Sequence, residues 1–278
     1  MIRIITDSAA DFEPYEYARM QVQCIPLTVL FGETVYQETV DLTKDQFYSH
    51  LAETGLFPKT SQPSPLILEQ MLTGAKNAGD DAIYICLSSA LSGTYQTSCM
   101  TCEDVGHGYV LDSRNATGGQ RILVEYAVKL RDQGCSAREI IEAVEALRER
   151  IVLYACMDTL EYLYRGGRIS HTVYKLGSMA QIKPIIRITP QGTVEVPAKA
   201  MGMRKGVEFM CRQAQTIVPD PDFPCYAMYT ADRTKGEAMA AKLRDAGIQV
   251  RDDQIINVGA GIGSHIGPNA CGMVYVAK

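Results

Sequence analysis

Short apolar runs that end in small polar residues restrict the fold of this chain more than any other feature. Ile2 to Ile5 precedes Thr6-Asp7-Ser8, and Ala82 to Leu87 precedes Ser88-Ser89. A third run, Tyr109 to Leu111, ends in the same way. Each run is followed by a segment with helical periodicity, and this alternation is typical of buried parallel strands with connecting helices. The sequence therefore predicts an α/β fold with a parallel, Rossmann-like sheet in its N-terminal half.

The segments between these strands carry helix signals. Pro65 to Ala78 has a proline at its first turn and stops before Gly79. The stretch from Ser136 to Arg150 opens with Ser136-x-x-Glu139, a capping box, and repeats apolar residues on one face. Further helices are predicted at 94–104, 118–133, 159–165, 205–218 and 233–246.

The pattern changes after a further predicted strand, Ile151 to Cys156. Ile182 to Thr189 and Thr193 to Met201, joined at Pro190-Gln191-Gly192, are typical of an antiparallel hairpin. We therefore expect two domains with the ligand site between them. Residues 1–155 would form the parallel-sheet domain, and residues 156–278 a mixed α/β domain.

The overall composition excludes several classes of function. The net charge is −5 and no run of lysine and arginine occurs, which weighs against nucleic acid as a partner. No apolar run approaches the roughly 20 residues of a membrane helix, so no integral membrane segment is expected. A charged residue comes too early at the N-terminus for a signal peptide, and nine scattered cysteines fit reduced thiols. These features predict a cytoplasmic protein.

No metal site is expected. The four histidines at 50, 107, 171 and 265 show no ligand spacing. Cys99 and Cys102 form a C-x-x-C motif that lacks the second pair of a zinc site, so buried or inert thiols are the simpler interpretation.

The segment from Gly259 to Asn269 concentrates glycine near the C-terminus. It contains four glycines, Ser264 and His265. A predicted strand, Ile248 to Val258, leads into it, and we interpret it as a loop that carries His265 to a polar site. The alternative is a structural histidine whose hydrogen bonds are satisfied inside the protein.

Five segments rich in small polar residues lie at predicted strand ends. They are Thr6 to Ser8, Thr60 to Pro65, Leu87 to Thr94, Asp112-Ser113 with Thr117 to Gln120, and the glycine-rich segment. Ligands in open α/β sheets bind beyond the carboxyl ends of the strands, so we expect these segments to converge on one crevice. Hydroxyls and helix-start amides would make it an anion site, although each segment alone could be an ordinary cap or turn.

The motifs of common enzymes are absent from these segments. There is no phosphate-binding P-loop, the terminal glycines do not match the dinucleotide fingerprint, and no G-x-S-x-G elbow surrounds Ser92. A small-molecule phosphotransferase or hydrolase that uses the same crevice remains the alternative. Arg165 and Arg168, which flank Gly166-Gly167, are either a solvated charge pair or a contact between domains or with a partner.

Taken in order, the segments resemble the DegV family of bacterial fatty-acid-binding proteins that serve fatty acid kinase. The resemblance rests on Thr6 to Ala10, Thr60 to Ser64, Leu87 to Thr94, Tyr164 to Ser170, Lys183-Pro184 and Gly263 to Pro268, and it covers essentially the whole chain. In one departure, Asn269 follows Gly267-Pro268 where many relatives have another glycine.

The resemblance implies a non-catalytic carrier that buries one long-chain fatty acid, such as palmitate, between two α/β domains. It implies no cofactor other than this ligand, and an ATP-dependent fatty acid kinase as partner. The carboxylate would meet Thr60 and Ser92, with His265 and Arg168 around the head group or on the kinase-docking face. The predicted ligand-binding residues are Thr60, Ser92, Gly93 and His265, and the predicted head-group or partner contacts are Arg168, Ser61 and Ser89.

Overall fold

The computed structural model describes residues 1–177 and 181–278. The strands in these residues are β1 Ile2–Asp7, β2 Val22–Ile25, β3 Thr28–Phe31, β4 Thr34–Gln37, β5 Lys59–Ser61, β6 Asp81–Cys86, β7 Tyr109–Asp112, β8 Ile151–Cys156, β9 Ile182–Ile188, β10 Val194–Met201, β11 Tyr226–Tyr229, β12 Ile255–Asn257 and β13 Cys271–Val276. The helices are α1 Pro14–Met20, α2 Lys44–Thr54, α3 Pro65–Ala78, α4 Thr94–Val105, α5 Thr117–Asp132, α6 Ala137–Arg148, α7 Glu161–Arg165, α8 His171–Gly177, α9 Met203–Thr216, α10 Arg233–Asp245 and α11 Ala260–Ile266. None of these helices is both long and apolar enough to cross a membrane.

The N-terminal half contains a four-stranded parallel sheet in the order β2-β1-β6-β7, which confirms the predicted Rossmann-like arrangement. Ile4 and Ile83 pair across β1 and β6, and both are fully buried, as are Ile5 and Ile85. Successive residues point to opposite faces of a strand, so burial on both faces explains why these strands read as continuous apolar runs.

The second sheet has six strands in the order β10-β9-β8-β13-β11-β12 and mixes parallel with antiparallel pairs. Its β9–β10 hairpin is antiparallel, as predicted. Strand β8 pairs with β13 and β9 and so belongs to this sheet. A domain boundary at residue 155 would cut through β8. The two-domain division stays a prediction, and we propose that its boundary lies ahead of Ile151.

Helix α5 packs between the two sheets. Its residues Leu123 and Ala127 share one hydrophobic core with Ile83 of the parallel sheet and with Leu153 and Val274 of the mixed sheet. The first turn of the helix approaches the mixed sheet closely at Gly118, where a Cβ would lie 2.5 Å from Val274 Cγ1. This common core fixes how the two sheets face each other.

A third, three-stranded sheet in the order β4-β3-β5 was not predicted from the sequence. Its strands are three or four residues long, too short to show a periodicity of their own. Val29 and Phe31 of β3 pack against Phe47 and Leu51 of α2. Its strand β5 carries Thr60, one of the predicted ligand-binding residues.

The helix predictions agree with the structure to within two residues at every boundary, and Ser136 and Glu139 form the predicted capping box. Two other predictions were wrong. Of the predicted strand at 248–258, only Ile255–Asn257 forms a strand, because the polar residues before it turn in a 3-10 helix, Asp252–Gln254. The glycine-rich segment is not a loop, since Ala260–Ile266 forms helix α11.

Replacing Gly118 by alanine should destabilise the fold, whereas the same change at Gly74 should not. An added Cβ at Gly118 meets Val274 at 2.5 Å, so we expect the free energy of unfolding to fall by about 1–3 kcal/mol. The nearest atom to a Cβ at Gly74, inside α3, is Arg3 Nη1 at 3.7 Å, and better helix propensity should raise stability by up to about 1 kcal/mol. Urea denaturation of both variants tests this, and equal stabilities would refute the close packing of α5.

Candidate functional site

A cavity of about 600 Å³ lies between the two larger sheets, within the usual size range of small-molecule sites. Residues from the six-stranded sheet, from β5 of the three-stranded sheet, from α11 and from the connections after β6 and β7 line it. The lining residues that carry the arguments below are Thr60, Ser61, Gln62, Leu91, Ser92, Gly93, Thr97, Leu153, Ala155, Arg168, Ile186, Ile188, Met228, Gly261, Ile262, His265, Ile266 and Gly272.

One wall of the cavity is the apolar face of the six-stranded sheet. Leu153 and Ala155 alternate along β8, so their side chains share a face, and Ala155 pairs with Ile186 of β9 and with Gly272 of β13. The intervening residue, Tyr154, points to the opposite face and packs in the core beneath α9. Because Ala155 and Gly272 are small, the middle of this wall leaves room for a ligand.

The polar lining residues are tied to one another by short contacts. Thr60 Oγ1 lies 2.8 Å from His265 Nε2, which joins β5 to α11. Two residues along from Thr60, Gln62 Oε1 accepts a hydrogen bond of 2.8 Å from Thr97 Oγ1 of α4. Arg168 Nε donates to the Leu91 carbonyl at 2.9 Å. These contacts hold Thr60, His265, Gln62, Thr97 and Arg168 in place on the cavity wall.

Ser92 lies in the connection between β6 and α4, just before the first turn of the helix. Its Oγ is 2.8 Å from Thr94 Oγ1, and Thr94 N donates to it at 3.3 Å. The cap residue Gly93 offers no side chain to the first amides of α4. A Cβ there would lie 2.2 Å from Gln62 Nε2, so a larger residue would require the Gln62 side chain to move. The positive end of the helix dipole and a hydroxyl therefore face the cavity together.

His265 is deeply placed and uncharged at neutral pH. Burial and, to a smaller extent, the nearby Arg168 guanidinium together lower the pKa of its imidazole to about 4. Within the described residues, its Nδ1 has no hydrogen-bond partner, and this nitrogen faces Gly166, where a Cβ would lie 2.1 Å away. An unpartnered lone pair costs less than an unpartnered N–H, so we assign the proton to Nε2, which then donates to Thr60.

This geometry is a poor one for nucleophilic catalysis. A general base works best with a pKa near the working pH and with a third group to orient it. The pKa of His265 lies well below neutrality, and the Ser92 hydroxyl contacts Thr94 rather than the imidazole. In residues 1–177 and 181–278, no three His, Cys, Asp or Glu side chains are grouped to hold a metal ion.

Most of the residues singled out from the sequence lie on the cavity wall. Those that do are Thr60, Ser61, Ser92, Gly93, Arg168 and His265. Ser89 is not a lining residue, because its hydroxyl donates to Asp112 Oδ2 at 2.5 Å and its amide to Oδ1 at 3.0 Å. Arg165 pairs with Glu161 and stacks on Phe57, 3.9 Å from the ring centroid.

Of the five polar segments, Thr6 to Ser8 supports the cavity from behind, and the segment that begins at Asp112 contributes only Thr117 to the lining. In the first, Asp7 Oδ2 accepts the Leu87 amide at 2.8 Å and so fixes the end of β6. In the other, the Asp112 carboxylate holds Ser89. Asn269 has a φ of 68°, a conformation that asparagine tolerates better than most residues, so the departure from glycine keeps the turn after α11.

Two buried carboxylates behind α11, Asp11 and Glu38, were missed. They are 1% and 2% exposed, and each accepts a backbone N–H from the start of the helix. No sequence pattern around either residue indicates a buried acid. The apolar lining was also missed, because residues that line a pocket and residues of a core follow the same periodicity.

Comparison with known proteins gives a consistent result. A family model described as "Uncharacterised protein, DegV family" matches residues 1–278. A DegV domain-containing protein of Clostridium perfringens is 32% identical over 273 residues, which cover 95% of this chain and 93% of the relative.

Solved structures agree with these sequence matches. A DegV family protein of Thermus thermophilus, described as fatty acid binding, superposes with a TM-score of 0.89 at 28% identity, covering 100% of this chain and 99% of the other. DegV of Bacillus subtilis, described as a fatty acid binding protein, has a TM-score of 0.86 at 26% identity, with the same coverage. The chain therefore belongs to the DegV family.

Proposed function

We propose that this protein binds one long-chain fatty acid in the cavity, with the carboxylate held by Thr60 and Ser92. The observation that carries the proposal is a largely apolar cavity of about 600 Å³ whose wall includes the Thr60–His265 pair and Ser92. The relatives from Thermus thermophilus and Bacillus subtilis, both described as fatty acid binding, support the ligand class. The head-group residues are those that the resemblance to the DegV family implies, and the hydroxyl groups of this site suit a carboxylate.

The tail supplies most of the affinity. Each methylene that leaves water contributes about 0.8 kcal/mol, so a 16-carbon tail contributes on the order of 10 kcal/mol. Leu153, Ala155 and Ile186 offer the apolar wall for it. The tail therefore determines how tightly the ligand binds, and the polar residues determine its direction.

The head group is oriented by uncharged donors. Because the imidazole Nε2–H donates to Thr60 Oγ1, the threonine hydroxyl proton is free to point at a carboxylate. Ser92 and the first amides of α4 supply further donors, each charge-assisted hydrogen bond contributing about 1.5–3 kcal/mol. Arg168, half-buried and also on the wall, places a positive charge close to the same group.

The proposed biological role is that of a cytoplasmic carrier. A partner fatty acid kinase would use ATP to phosphorylate the bound ligand: a carboxylate oxygen attacks the γ-phosphorus, ADP leaves, and an acyl phosphate forms. The chain itself performs no turnover in this scheme. The free state of the nine cysteines, all of which lie in the described residues, is compatible with a reducing compartment.

Removing either hydroxyl should weaken binding without unfolding the protein. We expect Thr60→Ala and Ser92→Ala each to lower fatty acid affinity about 10- to 100-fold, the loss of one charge-assisted hydrogen bond. Calorimetric titration of delipidated protein with palmitate, together with native mass spectrometry of the purified variants, measures this. Ser89→Ala is the matched control, since its hydroxyl binds Asp112 outside the cavity. Unchanged affinity in both test variants would refute the head-group assignment.

Filling the apolar wall should discriminate between ligands of different length. In Ala155→Leu the larger side chain occupies space that the tail needs, so palmitate binding should weaken by about 1–3 kcal/mol. Octanoate, which has the same carboxylate and a shorter tail, should lose less. Competition with a fluorescent fatty acid gives both affinities. An equal loss for the two acids would place the tail away from this wall.

The carrier role is tested by adding the partner. Purified protein with palmitate, Mg·ATP and hydroxylamine should form no palmitoyl hydroxamate alone, and should form it when the ATP-dependent fatty acid kinase subunit is added. Acyl phosphate formation, or ester hydrolysis, by the isolated chain would instead support a phosphotransferase or a hydrolase. If the complete mixture forms no palmitoyl hydroxamate while the protein still binds fatty acid, the binding proposal stands and the kinase partnership is refuted.

A further inference from the structure

Helix α11, which carries His265, is intrinsically weak. It has seven residues, and two of them, Gly261 and Gly263, are glycines that each cost about 1 kcal/mol relative to alanine. Close packing requires them. A Cβ at Gly261 would lie 2.5 Å from Leu27 Cδ1, and one at Gly263 would lie 2.8 Å from Phe47 Cε1. The helix therefore depends on contacts from outside itself.

Two buried carboxylates bind the first turn of this helix. The Gly259 amide donates to Asp11 Oδ1 at 2.8 Å, and the Gly261 amide donates to Glu38 Oε1 at 3.0 Å. A Cβ at Gly259 would lie 2.2 Å from Glu38 Oε1 and 2.9 Å from Asp11 Oδ1, so both acids lie against the same point of the backbone. They satisfy amides that a helix start leaves without partners. Burial raises the pKa of both carboxyl groups, that of Asp11 to about 8, so their role here is to accept hydrogen bonds and does not depend on charge.

The surroundings of Glu38 fix its position. Its Oε2 accepts a hydrogen bond of 2.5 Å from Ser8 Oγ, and Ser8 Oγ accepts the Leu27 amide at 2.9 Å. Asp11 is held by its backbone, because Lys44 Nζ donates to the Asp11 carbonyl at 2.8 Å. A buried carboxylate is costly unless its hydrogen bonds are complete, so a pair of them behind one short helix calls for an explanation beyond packing.

The helix transmits the position of this turn to the imidazole. Gly261 and His265 are four residues apart, so they lie one above the other on the same face, about 6 Å apart along the axis. The imidazole has little freedom to compensate, since Nδ1 faces Gly166 and Nε2 contacts Thr60 at 2.8 Å. A shift of α11 by about 1 Å would break a hydrogen bond of this length.

We propose that Glu38 and Asp11 are positioning residues, which hold α11 so that His265 orients the Thr60 hydroxyl toward the ligand head group. The role rests on the proposed function, because it acts on the Thr60 side of the carboxylate site. Glu38 and Asp11 do not line the wall with Thr60 and Ser92; their action passes through the backbone of α11.

Glu38→Ala is the main test, with two readouts. In delipidated protein, NMR titration of the histidine rings follows His265, which is assigned by comparison with His265→Gln. A released α11 exposes the ring to water, so its pKa should rise from about 4 toward the usual 6.5. The charged and polar side chains that face the ring, Arg168 and Thr60, are unchanged in this variant. Palmitate affinity should fall about tenfold, the equivalent of one hydrogen bond.

Three further variants separate positioning from general stability. Glu38→Gln keeps an acceptor for the Gly261 amide and should retain both the wild-type titration and the wild-type affinity. Glu16→Ala removes another buried acid, which pairs with Arg121 and not with α11, and should lower stability without moving the His265 titration. In a double-mutant cycle, Glu38→Ala should add no further loss of affinity in the His265→Gln background.

The proposal fails if folded Glu38→Ala keeps the wild-type His265 titration, or if its loss of affinity adds fully to that of His265→Gln. Should Glu38→Ala not fold, Ser8→Ala removes only the support of Oε2 and is judged by the same two readouts. If the wild-type protein binds no fatty acid, the proposed function is wrong, whereas the titration in delipidated protein still decides whether Glu38 positions His265.

Discussion

The structure depends on an apolar sheet face that the chain covers only in part. Helix α5 covers one section of the six-stranded sheet, where Gly118 lets it approach Val274. The neighbouring section, with Ala155 and Ile186, lines the cavity, and Leu153 belongs both to the core around α5 and to the cavity lining. Apolar surface gains about 25 cal/mol for each Å² removed from water, so an apolar ligand would complete the core between the sheets. The size and character of the cavity follow from this packing before any polar residue is considered.

The polar side of the cavity is assembled from elements that are distant in the chain. Thr60 and His265 are separated by 205 residues, and Ser92 comes from a third element. Donors on separate elements converge only if each element is fixed. Asp7 fixes the end of β6 through the Leu87 amide, and Asp11 and Glu38 fix the start of α11. Asp7, Asp11 and Glu38 thus lie behind the site, where they hold backbone amides, and not in it.

The sequence predicted those features that local patterns determine. Continuous apolar strands, proline and capping-box starts, and the hairpin turn each follow from nearby residues, and the corresponding elements are present. Ser89 and Ser92 show where prediction from the sequence stops. Both belong to the same polar segment, and only the structure shows that the Ser89 hydroxyl is already hydrogen-bonded to Asp112. The glycines of α11 were wrongly interpreted as a loop. A glycine-rich sequence is typical both of a loop with a free backbone and of a helix that packs closely, as α11 does against Leu27 and Phe47. In the same way, Leu153 and Tyr154 are both apolar, and nothing local tells which of them faces a cavity.

Under the proposed function, the tail provides most of the affinity and the polar residues orient the head group, and this separation has a chemical consequence. Because the tail contributes on the order of 10 kcal/mol, the head group needs no strong ion pair for affinity. Hydroxyls and a neutral imidazole orient a carboxylate while leaving most of its negative charge on the oxygens. A carboxylate oxygen that must attack phosphorus is a better nucleophile when it keeps this negative charge. A protonated histidine in contact with the oxygen would reduce the charge. The deep burial that keeps the pKa of His265 at about 4 therefore suits a site that presents a nucleophile to a partner. Arg168 donates a hydrogen bond to the Leu91 carbonyl, so its positive charge lies on the cavity wall and does not take the place of the neutral imidazole.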